Sequence, residues 1–317
     1  MSAYEKVISK ITRDDRVSHS LVACIFDEGH FQTKQEALHN CIRASEGENI
    51  RTPQTNRQLT GSVLENVVMT EGCRRLGLVN LDAEITEKVE HPLLPLEGSL
   101  DGMAEANKLV IKNNSDLGIY IPNGTKIVVN GKCPIEVKCT SIRATDTPPN
   151  WLGVMQLKAA MSTTQCDFGV LIILFESTDL RVFVYRRDYE FEEQLAEKVI
   201  DFDRRIKEKD YFTPQVSRDA YVMNQEADQE SVVEIKDNFH IDQYLDLKQK
   251  IRDLEGQVDY HQSQIMGDMG NASKGVNEDY VVSWGMINYK AKPERVIPAS
   301  DAYSIRRKTI TVKRANK

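Results

Sequence analysis

Apolar residues follow two different periods along the first half of the chain. Between Val63 and Leu76 they recur every three to four residues and Gly77 follows them, a pattern typical of an amphipathic helix and its end. From Ala83 to Ser141 the apolar runs shorten to strand length, and glycine and asparagine turn signals separate them. The first pattern predicts a helix, and the second predicts an antiparallel meander.

The next elements alternate between helices and apolar strands. A helix is predicted over Trp151–Met161, and the apolar run Gly169–Phe175 predicts a strand that a turn joins to a second strand over residues 181–187. A polar but strongly periodic helix follows over about residues 190–209, and Pro214 stops it.

A change in composition predicts a domain boundary near residue 213. Beyond it the sequence is polar, and then apolar positions recur at helical spacing from Ile241 to Leu254, as expected of a helical hairpin or a short coiled coil. We therefore divide the chain into a domain over residues 1–212 and a C-terminal extension over residues 213–317. The extension contains the polar linker, this helix and a basic tail.

Composition is that of an ordinary globular protein, with 317 residues, of which 40% are hydrophobic and 28% are charged. The longest apolar run, Gly169–Phe175, is far shorter than the roughly 18 residues that span a bilayer, and the N-terminus has no secretory signal pattern. We expect a cytoplasmic protein with no membrane partner, located in the host cytoplasm if a phage encodes it. The six cysteines contain no CxxC pair, which argues against a zinc ribbon, a disulfide framework or an iron–sulfur cluster.

Charge is distributed unevenly along the chain. Lysine and arginine number 41 against 48 acidic residues, and the net charge of −7 at first argues against a nucleic-acid partner. Residues 302–317, however, contain six basic residues and no acidic one, so a segment of +6 contrasts with −13 on the remainder. This contrast leaves DNA open as a partner.

A carboxylate and a lysine share one face of a predicted strand. Glu136 and Lys138 are two residues apart, so their side chains project to the same side, whereas Ile135 and Val137 enter the core on the other. Asp101 lies at a bend between a strand and a turn. Together, Asp101 and Glu136 would make a hard oxygen pocket suited to Mg²⁺ or Mn²⁺, and the Lys138 ammonium would orient a water molecule or help to deprotonate it.

Two residues on neighbouring helices extend this candidate site for phosphodiester hydrolysis. Glu65 could complete the metal shell, directly or through water, and the amide of Gln156 could position the substrate or the lysine. A second Glu-x-Lys motif, at Glu234 and Lys236, has no Asp-Gly upstream and no apolar strand around it. We interpret that second motif as solvated surface.

Four short motifs in this order carry a resemblance to a known family. They are G-x-x-x-E at residues 61–65, S-x-D-G at residues 99–102, E-x-K at residues 136–138, and Gln156 on the following helix. The sequence resembles the PD-(D/E)XK nucleases of the phage recombination type, similar to the YqaJ family and lambda exonuclease, over roughly residues 10–212. The resemblance implies an α/β fold with a restriction-endonuclease-like core, in which helices flank a central mixed sheet, followed by a C-terminal helical and basic-strand extension.

The resemblance also implies an activity and its components. It implies a Mg²⁺-dependent exonuclease, with Mn²⁺ as a substitute and one or two ions bound, that degrades one strand of linear duplex DNA from its ends in the 5′ to 3′ direction for annealing recombination. Its partners would be DNA ends, a single-strand annealing protein and further copies of the chain in a ring. The implied catalytic residues are Asp101, Glu136, Lys138, Gln156 and Glu65, and the implied metal ligands are Asp101, Glu136, Val137 and Glu65.

DNA contacts are predicted at both ends of the chain. By the same resemblance, Arg13 and Ser20 would hold the DNA end and its phosphate, although Arg16 and Ser18 compete for these roles. The basic tail would run along phosphates, or else form a solvated tail or an edge strand. Its predicted DNA-binding residues are Arg306, Arg307, Lys308, Lys313 and Arg314.

Two other functions remain open from the sequence. An endonuclease could use the same core, and a non-catalytic DNA-binding module could retain the same fold. The complete set of Asp101, Glu136 and Lys138 argues against the second of these.

The segment between Asp101 and Glu136 is longer than the minimal family arrangement, and it predicts an extra hairpin.

Overall fold

The computed structural model describes residues 12–224 and 230–286, and the chain divides into two compact units, Met1–Met223 and Asn224–Lys317. The helices of the first unit are α1 (Val22–Ile25), α2 (Lys34–Ser45), α3 (Asn56–Leu76), α4 (Met155–Thr164), α5 (Tyr189–Glu208) and α6 (Ser217–Met223). Its strands are β1 (Val17–Ser18), β2 (Val79–Asp82), β3 (Val89–Glu90), β4 (Leu96–Gly98), β5 (Gly102–Lys112), β6 (Ile119–Tyr120), β7 (Lys126–Thr140), β8 (Phe168–Phe175) and β9 (Asp179–Arg186).

The central sheet is mixed. In the described part of the chain its strand order is β2, β5, β7, β8, β9, β6, and its neighbours are antiparallel except for the parallel pairs β7 with β8 and β6 with β9. The antiparallel meander predicted over residues 83–141 is present only in part, because β5 and β7 form an antiparallel pair but β3 and β4 lie in a separate three-stranded sheet with β1, and β6 pairs with β9. The parallel β7–β8 pair makes the central sheet mixed. Helices pack on both faces, so the predicted α/β fold with a central mixed sheet is confirmed.

The expected extra hairpin between Asp101 and Glu136 is part of this sheet rather than an addition to it. Strands β5 and β7 pair along most of their length, with a register shift between Ala106 and Leu109. The residues between them supply β6, which pairs with β9. The length of the paired strands β5 and β7 accounts for the extra length of this segment, because each additional residue pair extends the β5–β7 ladder.

Strand β8 is buried between two layers of helices, which explains its unbroken apolar sequence. Val170 and Ile172 pack with α3 on one side, and Leu171 and Ile173 pack with α4 on the other. Gly72 lets α3 lie close to the sheet, since a Cβ atom there would lie 2.5 Å from the Ile172 Cδ1 atom. Both helices are therefore fixed against the strand that neighbours β7.

The first unit continues beyond the boundary predicted near residue 213. Helix α6 packs against α2, where Arg218 forms an ion pair with Glu36 and also donates to the Phe31 carbonyl oxygen at 2.9 Å. The compact unit therefore ends after Met223, because α6 makes its contacts with the preceding helices.

The second unit contains a long helix and a hairpin in its described residues. Helix α7 covers Phe239–Met269, and the antiparallel strands β10 (Lys274–Val276) and β11 (Val281–Ser283) follow it. Within residues 12–224 and 230–286, no helix is long and apolar enough to cross a membrane. The basic residues predicted to bind DNA in the tail lie outside the described residues.

Candidate active site

Strand β7 places Glu136 and Lys138 side by side, as their spacing predicts. The Lys138 Nζ atom forms an ion pair with the Glu136 Oε1 atom. Glu136 is only 2% exposed, although it is a carboxylate in the middle of an apolar layer. Buried carboxylates are rare unless they are paired or bind a cation, and Lys138 supplies the pairing here.

The register of β5 and β7 brings Asp101 to the same place. Gly102 lies opposite Ile135, so the residue before it reaches the level of Glu136 and Val137. The Asp101 Oδ2 atom accepts a hydrogen bond of 2.8 Å from the Val137 amide, which fixes its orientation. A main-chain group of β7 therefore holds the second carboxylate beside the first.

Gln156 completes the group from the other side. It lies in the first turn of α4, and its Oε1 atom accepts a hydrogen bond of 3.2 Å from the Lys138 Nζ atom. The Lys138 ammonium is thus held between a carboxylate and an amide oxygen. Gln156 therefore contacts the lysine, and its role in the site stays a prediction.

Glu65 lies on α3 and acts on the cluster through its charge. Its carboxylate contributes to raising the pKa values of Glu136, Lys138 and Cys139. The helix passes close to this end of β7, because a Cβ atom on Gly61 would lie 3.9 Å from the Cys139 Cβ atom. The four motifs of the resemblance therefore lie in one region of the fold.

Charge and burial shift the pKa of both groups on β7. Burial raises the pKa of Glu136 to about 8, and the neighbouring Asp101 carboxylate adds to the rise. Burial lowers the pKa of Lys138, but the Glu136 and Asp101 carboxylates together outweigh it, and the net direction is upward. The site thus concentrates carboxyl groups around a protonated lysine, and the raised pKa of Glu136 shows that its ionised form is disfavoured there without a further cation.

The donor atoms fit a hard cation with few protein ligands. In the part of the chain that the structure describes, no three histidine, cysteine or carboxylate side chains are grouped closely enough to hold one metal ion. Mg²⁺ usually binds one or two carboxylates and keeps several water molecules. The oxygen atoms of Asp101 and Glu136 suit this mode, and Val137 could add only main-chain atoms.

Gly153 is a site residue that the sequence pattern did not identify. It lies in a kinked turn over Asn150–Val154, with φ of +88°, so the predicted helix over Trp151–Met161 becomes regular only at Met155. A Cβ atom on Gly153 would lie 2.8 Å from the Leu171 Cδ1 atom and 3.2 Å from the Lys138 Cγ atom. The signal was present as a glycine inside an apparent helix, which often marks a close approach.

Replacing Gly153 with alanine should reduce both stability and activity. The positive φ and the contact with Leu171 together should cost about 1–3 kcal/mol of unfolding free energy. The Lys138 stem would have to move by a few tenths of an ångström, which should slow cleavage by about 10-fold, since a misplacement of about 1 Å costs about 100-fold. Gly131→Ala is the matched control, because Gly131 has the same φ of +88° on β7 but no atom within 4 Å of its Cβ position. Equal effects of the two variants on cleavage would show that Gly153 does not position the lysine.

A buried histidine anchors the far end of α4. The His19 Nε2 atom and the Thr163 Oγ1 atom are 2.8 Å apart, and the imidazole is 2% exposed. Burial lowers the pKa of His19 to about 4, and nearby His91 contributes. The neutral imidazole is therefore the form that the fold accommodates.

Acid should weaken this anchor. The pKa of His19 is about 4 in the folded chain, and its ordinary value is 6.5. The contribution of neutral His19 to the free energy of unfolding is therefore complete above pH 6.5 and is lost as pH falls towards 4. Between pH 7 and pH 5 the wild-type chain should lose about 2 kcal/mol of unfolding free energy through this group. Urea unfolding of wild type and His19→Asn at both pH values isolates the effect. A difference between the two proteins that does not change with pH would exclude it.

The predicted DNA-end residues have other neighbours in the structure. The Arg13 guanidinium forms an ion pair with Asp15 at 2.6 Å, and its main-chain amide donates to the Glu97 Oε1 atom at 3.2 Å. The hydroxyl groups of Ser20 and Ser18 are 2.9 Å apart. Ser18 is buried and Ser20 is exposed, so of the two competing serines Ser20 is the more accessible. Their role in binding DNA stays a prediction.

The second Glu-x-Lys motif lies on the surface, as its polar sequence surroundings predict. Glu234 and Lys236 are both exposed and lie outside any helix or strand. They therefore belong to the solvated surface, in contrast to Glu136 and Lys138.

Known proteins that are similar to this chain were found among solved structures. Neither a model of a known protein family nor a curated protein matches this sequence. Similar solved structures include exonucleases. The structure of LHK-Exo in complex with dAMP and that of the alkaline exonuclease LHK-Exo from Laribacter hongkongensis are each 15% identical to this chain. Both similarities cover 62% of this chain and 90% of the other, with TM-scores of 0.45 and 0.43.

A third neighbour is a phage-related exonuclease from Haemophilus somnus 129PT. It is 13% identical, with a TM-score of 0.40, and the similarity covers 65% of this chain and 99% of that one.

Proposed function

We propose that this chain is a Mg²⁺-dependent deoxyribonuclease that removes nucleotides from the ends of linear duplex DNA. The main support is the convergence of Asp101, Glu136, Lys138 and Gln156 at one place on β7. Two carboxylates and a fixed ammonium group are the components that metal-assisted hydrolysis of a phosphodiester requires. The motif resemblance supports the finer assignment, which is degradation in the 5′ to 3′ direction to expose single strands for an annealing partner.

Asp101 and Glu136 would hold the cation, and Glu65 would complete its shell through a bound water molecule. When bound, Mg²⁺ would neutralise charge on the phosphate and lower the pKa of a coordinated water molecule. Glu136 would bind it as the ionised carboxylate, since the cation would offset both the burial and the Asp101 repulsion that hold its pKa near 8. Cation binding and proton release from Glu136 are therefore coupled.

Lys138 would act as a cation that positions the reacting groups. Its pKa is raised, so the ammonium stays protonated at neutral pH. Because the Glu136 carboxylate and the Gln156 amide oxygen both accept hydrogen bonds from it, its direction is set before DNA binds. A fixed positive charge at this point would orient the attacking water and stabilise the negative charge that develops on the phosphate.

Digestion of linear and covalently closed forms of one plasmid tests the end-directed activity. With Mg²⁺ the linear form should release nucleotides from its ends and leave single strands, while the closed circle stays intact, and EDTA should stop the reaction. Linear molecules produced from the circle would instead identify an endonuclease. DNA binding without any cleavage would identify a non-catalytic module.

Removal of the basic tail, residues 302–317, should weaken DNA binding without slowing cleavage at saturating DNA. This segment carries +6 in an otherwise acidic chain, and each lost phosphate contact should reduce the slope of log affinity against log salt by about 0.9. Affinity measured at two salt concentrations, together with a melting curve, checks the role of the tail. An unchanged salt slope with a lower melting temperature would assign the tail a structural role instead.

A further inference from the structure

Three aromatic rings meet in the first unit, where the loop between α1 and α2 contacts the kinked turn before α4. The rings of His30 and Trp151 are stacked, with their centroids 4.2 Å apart and their planes 12° from parallel. The ring of Phe31 is nearly perpendicular to both, with its centroid 4.8 Å from that of His30 and 5.6 Å from that of Trp151. We call these three side chains the aromatic cluster.

The aromatic cluster is partly open to solvent. Phe31 is 76% exposed and His30 is also exposed, whereas Trp151 is half-buried and packs against the core around Leu152 and Phe183. Exposed aromatic surface of this kind, backed by a packed ring, offers a flat apolar face to a ligand.

Contacts of the loop hold the exposed ring in place. The Arg218 guanidinium donates a hydrogen bond of 2.9 Å to the Phe31 carbonyl oxygen. The loop is also folded tightly at Gly29, where a Cβ atom would clash with the Gln32 carbonyl oxygen and would lie 2.8 Å from the Cys24 Sγ atom. A loop that is already held in this way loses little conformational entropy when a ligand binds.

The kinked turn connects the aromatic cluster to the candidate active site. Trp151 is two residues from Gly153 in this turn, so their Cα atoms are at most about 7 Å apart. The Cβ position of Gly153 lies 3.2 Å from the Lys138 Cγ atom and 3.4 Å from the Glu136 Cγ atom. The charged groups suit a cation and a phosphate, and the nearby rings suit the base of an adjoining nucleotide.

We propose that the aromatic cluster binds an unpaired base of the DNA strand whose phosphodiester lies at Lys138. Phe31 and His30 would supply the exposed ring surface, and Trp151 would support His30 from the core side. Such stacking accepts any of the four bases, because each has a π face, but it requires a base that is free of its partner strand. The proposal rests on the nuclease function proposed above and adds how a base next to the cleaved bond is held.

Binding of two matched duplexes, measured in EDTA to prevent cleavage, tests the base contact. Both carry a short single-stranded 5′ extension, with thymine bases in one duplex and abasic sites in the other. The wild-type chain should bind the thymine duplex about 10-fold more tightly, because stacking of one base contributes about this factor. Phe31→Leu keeps an apolar side chain but lacks the π face, so it should bring the affinity ratio close to one. Phe31→Tyr should keep the wild-type ratio.

Tyr189→Leu is the matched control. Tyr189 is also an exposed aromatic residue, at 64%, but it lies beside Val128 and Val129 near the start of β7, away from Glu136. This variant should keep the wild-type ratio. A change that only disturbs the fold would weaken binding of both duplexes alike, so the ratio reports the base contact itself.

Two results would overturn the base contact. One is equal binding of the thymine and abasic duplexes by the wild-type chain, and the other is a preference that Phe31→Leu does not reduce. Release of nucleotides with Mg²⁺, measured on the same proteins, separates this contact from the nuclease function. A Phe31-dependent preference in a chain that releases no nucleotides would support the base contact and contradict the nuclease.

Discussion

Replacing Lys138 with methionine should slow DNA cleavage by about 10² to 10⁴-fold, the range expected when a positioned proton-transfer or charge-stabilising group is removed. Methionine has nearly the same length as the lysine stem but lacks the ammonium group that Glu136 and Gln156 hold. The rate should fall at saturating DNA and Mg²⁺, because the lost interaction stabilises the transition state. Single-turnover cleavage of a linear duplex measures this rate directly.

The matched control for this variant lies on the same strand. Lys132 belongs to β7 and is exposed, so Lys132→Met removes one positive charge without touching the cluster. The fold should survive Lys138→Met, because Glu136 can take up a proton when it loses its partner. Melting curves check this. A Lys138→Met chain that melts normally and cleaves at the Lys132→Met rate would remove Lys138 from the mechanism.

Changing Asp101 to asparagine or Glu136 to glutamine should abolish Mg²⁺-dependent cleavage. Each change keeps the shape of the side chain, and the asparagine that replaces Asp101 could still accept the Val137 hydrogen bond through its amide oxygen, but each removes a negative charge from the cation site. Mg²⁺ should raise the melting temperature of the wild-type chain, because a ligand that binds only the folded state stabilises it. Neither variant should show this rise.

The stability of the metal-free protein shows whether Glu136→Gln acts through the charge or through the shape of the side chain. Because the folded pKa of Glu136 is about 8 and its ordinary value is 4.5, the metal-free wild type should lose stability through this group as pH rises from 4.5 to 8. Glu136→Gln should remove that loss and be the more stable chain at pH 8 without Mg²⁺. An equal Mg²⁺-induced rise in melting temperature for wild type and both variants would place the cation elsewhere.

The sequence pattern was sufficient for the elements and for the residues that share a face. Period-two spacing placed Glu136 and Lys138 together, and the unbroken apolar run Gly169–Phe175 predicted the strand β8. These predictions succeed because side-chain direction within a strand depends only on local geometry. The motif order then named Asp101 and Gln156 as partners in the same site.

Contacts that depend on pairing register could not be predicted in this way. The hydrogen bond from Val137 to Asp101 exists because Gly102 pairs with Ile135, and no local pattern fixes that register. Gly153 matters because of the side chains that approach it from two strands. The His19–Thr163 contact joins residues 144 apart in sequence, so neither residue signals the other.

The position of the boundary after Met223 also depends on contacts that the sequence pattern does not reveal. Residues 214–240 are mostly polar, so α6 looks like part of a linker in the sequence. Its attachment to α2 rests on two contacts of Arg218 and on the packing of the short helix, which only the folded chain shows.

The most direct test of a metal-dependent nuclease centre on β7 is release of nucleotides from a linear duplex labelled at either the 5′ or the 3′ end of one strand. The wild-type chain with Mg²⁺ should release the 5′ label first, and neither wild type with EDTA nor Lys138→Met with Mg²⁺ should release it at a comparable rate. No Mg²⁺-dependent release by the wild-type chain, or equal release by wild type and Lys138→Met, would contradict a catalytic role for this cluster.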